Sequence, residues 1–133
     1  MPSEGGEAIQ VTEKGGSYAL ESRNRLFLFY SKPSVPGLWR LPVGEAGEEQ
    51  QVLSEDVGRS WVVGEHGIYF AVSAPQDYRI RFLDLETGEI SDRYHKGGPY
   101  EHAGPAVSPD EHWLLFSECP PLHAELMLAE NFR

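Results

Sequence analysis

Residues 106–118 read AVSPDEHWLLFSE. Ser108-Pro109-Asp110 is a turn signal. Proline presets φ, and the aspartate side chain takes backbone N–H groups within its own loop. The run Trp113–Glu118 that follows is short, apolar and bounded by Pro120-Pro121, the pattern of a strand. A turn feeding such a strand opens a repeat unit, so earlier copies should lie upstream.

Upstream, short apolar or alternating runs dominate. Strands are expected at Ala8–Thr12, Ser17–Glu21, Leu26–Lys32, Leu38–Val43 and Gln50–Leu53. The pattern returns at Ser60–Val63, Ile68–Ser73, Arg79–Leu85 and Glu89–His95, and again at Gly104–Val107, Trp113–Glu118 and Glu125–Glu130. Fourteen glycines and ten prolines punctuate these runs and argue against long helices. His123–Phe132 has helical propensity, but its place in the repeat makes it a strand.

The passes fall in register. Tyr30, Phe70 and Phe116 are spaced by 40 and 46 residues, and Leu41, Leu83 and Leu128 by 42 and 45. Four short strands repeating near every forty residues mark the blade of a β-propeller. A β-sandwich also has turns every 8–12 residues, but it has no reason to repeat aromatic positions in register. The fold expected is therefore all-β, with three four-stranded antiparallel blades in one domain spanning residues 1–133. Phe29, Tyr30, Phe70, Leu83, Leu85, Leu115, Phe116, Leu126 and Leu128 are the expected inter-blade core.

Gly104 to Ser117 resembles the TolB-type propeller repeat, whose hallmark is a Ser-Pro-Asp-Gly turn between the first two strands of a blade. Glu111 stands where that family usually has glycine. Glu21-Ser-Arg-Asn-Arg-Leu-Phe27 is a degraded copy of the turn, and Gly64-Glu-His-Gly67 keeps only its position. QVTEKGG, residues 10–16, resembles the outer-strand segment before each such repeat. ELMLAENFR resembles the C-terminal ends of bacterial proteins in which a propeller follows a DNA-binding domain and a membrane helix. The resemblance implies a protein-interaction platform, or a gate before a serine peptidase domain; fold alone does not choose. Many proteins with this repeat lie outside the cytoplasmic membrane, while MPSEGGEAIQ has neither the basic start nor the apolar segment of a secretory signal.

The formal net charge is -10, with 11 Lys+Arg against 21 Asp+Glu. That balance offers no basic patch to a nucleic acid or an anionic membrane, and no apolar run approaches the roughly 20 residues of a membrane helix. No G-x-S-x-G elbow is present. Cys119 is the single cysteine, so no intrachain disulfide forms, and it reads as a small buried hydrophobe rather than a nucleophile beside His112 and His123. The five histidines form no tight zinc-type pair, and His95, His102 and His112 are the trio that loops can bring together. There is no P-loop, no EF-hand and no GxGxxG. No catalytic residue, metal or cofactor is therefore expected.

Binding loops are the remaining candidates. Lys32-Pro-Ser-Val-Pro-Gly-Leu-Trp39 sets a tryptophan behind a stiff loop, and Tyr94–His102 is a polar–aromatic segment. Trp39, Tyr94, His95, Tyr100 and His102 are the candidate contact residues. The function expected is a non-catalytic propeller module that binds a protein or small ligand. The alternative is the accessory gating propeller of a prolyl-oligopeptidase-like peptidase. Three blades cannot close a ring, since propellers close with about four to eight. The third unit lacks an outer fourth strand, and Ala8–Thr12 stands alone before the first. A homodimer forming one six-bladed ring, with Ala8–Thr12 pairing in trans with Glu125–Glu130, follows as an expectation.

Overall fold

The computed structural model describes residues 15–44, 47–74, 77–97, 105–118 and 125–130. Eleven strands and no helix occur among them. Tyr18–Glu21 (β1), Phe27–Ser31 (β2), Leu38–Pro42 (β3) and Gln50–Leu53 (β4) form one antiparallel sheet in chain order. Trp61–Val63 (β5), Gly67–Ala74 (β6), Asp77–Asp84 (β7) and Ile90–Gly97 (β8) form a second. Ala106–Val107 (β9), Trp113–Glu118 (β10) and Glu125–Glu130 (β11) form a third. Each strand pairs with its neighbour in sequence, as short connections dictate.

Eleven of the twelve expected strands are present, within three residues at each end. The twelfth, Ala8–Thr12, lies outside the described residues, so its pairing with β11 does too. Of the segment with helical propensity, Glu125–Glu130 is strand β11. Its six-residue pairing with β10, from Trp113 opposite Glu130 to Glu118 opposite Glu125, overrides the local preference.

The sheets stack as successive blades. β5 lies against both β1 and β9, so the first strands of the three blades neighbour one another. Between the first and second blades, Phe29, Leu38 and Leu53 share one core with Trp61, Ile68, Phe70 and Leu83, and Phe27 packs against it. Between the second and third, Ala71, Tyr78 and Ile80 meet Leu114 and Phe116, with Met127 and Ala129 alongside. Successive residues of a strand face opposite sides. The middle blade therefore sends Ile68 and Phe70 back to the first blade and Ala71 forward to the third.

Phe29, Phe70, Leu83 and Phe116 are buried between blades as expected, and Leu85 packs at the margin. Tyr30 is buried too, but on the first blade's other face, outside both inter-blade cores. The side chain of Leu126 is outside the described set. Leu115 and Leu128 are corrections: both are exposed, Leu128 by 59%. The register gives the reason. Leu41 lies opposite Leu28, and Leu83 opposite Ile68. The matching pair in the third blade is Ala129 opposite Leu114. Leu128 is one residue off that position, and a slip of one turns a strand residue to the other face.

Candidate functional site

The turns joining the first two strands of each blade gather at one end of the arc. In the third blade, Ser108 donates from Oγ to Asp110 Oδ1 at 2.6 Å, and Ser108 Oγ accepts from Trp113 N at 2.9 Å. Asp110 Oδ1 also accepts from His112 N at 3.0 Å. Glu111 N donates to Ser108 O and Ser108 N to Trp113 O, at 2.8 and 3.0 Å. Glu111 is left with φ 57°, the left-handed region. That is the physical reason for glycine at this position in the repeat it resembles.

The first blade repeats every bond with other residues. Ser22 Oγ donates to Asn24 Oδ1 at 2.7 Å, Leu26 N donates to the same oxygen at 3.1 Å, and Phe27 N to Ser22 Oγ at 3.0 Å. Arg25 N donates to Ser22 O and Ser22 N to Phe27 O. Arg25 has φ 61°. In the second blade a tighter turn replaces this device, closed by Gly64 N donating to Gly67 O at 2.8 Å.

The three turns are tied together. The Glu111 side chain is buried against the second blade, where Tyr69 donates its hydroxyl to Oε1 at 2.9 Å and Glu65 N approaches Oε2 at 3.4 Å. A Cβ on Gly64 would stand 2.4 Å from Glu111 Oε1, so glycine makes room for this carboxyl group. Arg23 Nη1 donates to Pro109 O at 2.9 Å and joins the first blade's turn to the third's.

The left-handed pair gives contrasting expectations. Arg25→Gly relieves steric cost and removes nothing buried, so unfolding free energy should stay level or rise by up to about 1 kcal/mol. Glu111→Gly relieves the same cost but removes the acceptor of Tyr69, and should lower stability by about 1–2 kcal/mol. Urea unfolding of both variants checks the sign of each.

Beneath the turns an open cleft of about 780 Å³ separates the first and second blades. Its floor is apolar, from Phe27, Phe29, Val63 and Leu85. Its rim is polar, lined by Arg23, Arg40, Glu65, His66, Asp84 and Glu86. Besides Arg23, held by Pro109 O, two more rim groups are anchored. Arg40 lies over the Phe27 ring at 4.8 Å and donates from Nε to Gln50 Oε1 at 2.9 Å. Asp84 Oδ1 accepts from Glu86 N and Thr87 N at 2.8 and 3.2 Å, which fixes the turn after β7. An apolar floor under a fixed polar rim is the make-up of a binding cleft.

The residues proposed from sequence do not meet in this cleft. Trp39 is buried in β3, with Lys32 Nζ 4.4 Å above its ring. Lys32 pairs with Glu49 at 2.5 Å, and Glu49 also accepts from Tyr30. Burial, then Glu49, pushes the Tyr30 phenol well above its ordinary pKa. Tyr94 stacks on Phe116 at 4.6 Å and serves inter-blade packing. His95 is exposed on β8 and contacts Asp77. Tyr100 and His102 lie outside the described residues. The cleft residues carried one signal in the sequence, the repeated turn at residues 22–25 and 64–67.

Antiparallel sheets of three to four strands, packed face to face, with the turns between their first two strands gathered at one end, define a β-propeller-like fold. The solved structure of TolB from Acinetobacter baumannii is similar, with a TM-score of 0.68 and 11% identity over 85% of this chain. The match covers 29% of that chain, so the present sequence spans less than a third of its length. At this identity the likeness is one of fold. No family model matches the chain, and no curated protein does.

Proposed function

We propose that this chain is a non-catalytic binding module whose ligand, a segment of another protein, seats in the cleft between the first two blades. The cleft itself carries the reading. Its apolar floor suits a side chain of the bound segment, and the anchored Arg40 and Asp84 on the rim suit backbone and polar groups of either sign. The absence of a nucleophile elbow from the sequence supports a role in binding rather than hydrolysis. Loops set on a rigid β scaffold are where such recognition usually resides.

Amide shifts of the isotope-labelled chain during titration with a mixed peptide library test this. Shifts clustered at residues 22–24, 64–66 and 84–86 are expected. Shifts confined elsewhere, or none, would overturn the assignment.

A further inference from the structure

The third blade presents an apolar face to solvent. Trp113, Leu115 and Leu128 are all exposed, and Leu115 lies directly opposite Leu128 in the β10–β11 ladder. The repeat register says what such a face packs against. Trp113 and Leu115 occupy the positions that Phe27 and Phe29 hold in the first blade, as the matched turn bonds of Trp113 and Phe27 establish. There Phe27 and Phe29 share a core with Ile68 and Leu83 of the following blade. The covering surface must therefore be the backward face of another blade, with aliphatic residues at the Ile68 and Leu83 positions.

The chain carries one such face that none of its own described blades covers. In the first blade the Ile68–Leu83 pair is matched by Leu28–Leu41, also directly opposed. Both are half-buried, and next to them Leu26 and Val43 are exposed, Leu26 by 58%. Val43 N donates to Leu26 O, so these two residues continue the same ladder. The far half of this face is already closed by Tyr30, Trp39 and the Lys32–Glu49 pair. The open half lies at the end of the blade where Trp113 and Leu115 lie in the third. The two unpartnered faces thus match in position and in chemistry.

We propose that a second copy of this chain covers the third blade, with Trp113, Leu115 and Leu128 of one copy packed on Leu26, Leu28, Leu41 and Val43 of the other. The contact forms twice under a two-fold axis. Two arcs of three blades then close one ring of six, within the range of about four to eight that closes a propeller. This interface is separate from the cleft and stands whether or not the cleft binds a peptide.

Sedimentation or light scattering of the purified 133-residue chain at micromolar concentration tests it. A single species of twice the 14.9 kDa chain mass is expected. A folded monomer, or a ladder of larger species from contacts that do not close, overturns the proposal. Leu128→Glu places a charge in both contacts and should weaken the dimer by about 100-fold or more while far-ultraviolet dichroism stays β-type. Leu26→Glu, in an exposed turn on the opposite face, should do the same and decides the matter if the first variant fails to fold. Either variant, folded, with dimerisation unchanged overturns the proposed surface.

Discussion

Phe116→Ala should lower the free energy of unfolding by about 3–5 kcal/mol. The ring is 2% exposed and stands at the centre of the joint between the second and third blades. Tyr94 lies 4.6 Å from it and Tyr78 6.3 Å, with Leu114 and Ile80 in the same core. Truncation removes the transfer energy of the ring and leaves a void. The walls of that void are strands held by continuous ladders, β6 to β7 over eight residue pairs and β10 to β11 over six, so they collapse poorly. Urea unfolding measures the loss directly. A value below about 1.5 kcal/mol would mean that the third sheet does not depend on this ring for its seat on the second.

Gly67→Ala should cost about 3 kcal/mol, large for the addition of one methyl group. A Cβ there would stand 2.0 Å from Leu83 O and 2.7 Å from the Phe82 ring. Leu83 O is backbone in the neighbouring strand, and Gly67 is itself paired with Asp84, so neither partner yields without breaking the ladder. Phe82 has no easy escape, since Tyr69 lies 4.7 Å from its ring and the Arg93 guanidinium 4.9 Å. Gly88 is the useful comparison. It has φ +76° and open space around it, so alanine there meets only backbone strain, about 1 kcal/mol. Thermal unfolding of the two variants separates crowding from strain. Equal losses would show that the turn before β6 relaxes around the new methyl group.

The strands were legible because each is short, apolar and bounded by glycine, proline or a charged turn. The spacing of Tyr30, Phe70 and Phe116 gave the blade register, and all three side chains are buried. The leucine series failed in its last member for a physical reason. Leu128 is more hydrophobic than Ala129, and a pattern reader picks the larger residue. The ladder instead places Ala129 at the inner position and Leu128 outside. The cleft was scarcely legible. Its walls come from residues 22–24, 64–66 and 84–86, which are distant in sequence and ordinary in composition. Glu111 did stand out as a substitute for glycine. Its hydrogen bond to Tyr69, 42 residues away, follows only from how the blades stack. Trp39 drew notice for its stiff preceding loop, but burial beneath Lys32 gives it a packing role.

The two bond-for-bond turns differ in one atom type at their hub, and that difference makes one of them sensitive to acid. Asn24 has no proton to gain near neutral or acidic pH, so the first blade's turn keeps its bonds throughout. Asp110 does titrate. Its hydrogen bond from Ser108, then that from the His112 backbone, holds its carboxyl below the usual value. A carboxylate with a lowered folded pKa adds stability that is present above the unfolded value and is lost as pH falls through the folded one. Acid that carries the pH down through that lowered folded value therefore loosens the Ser-Pro-Asp turn of the third blade and spares its twin in the first.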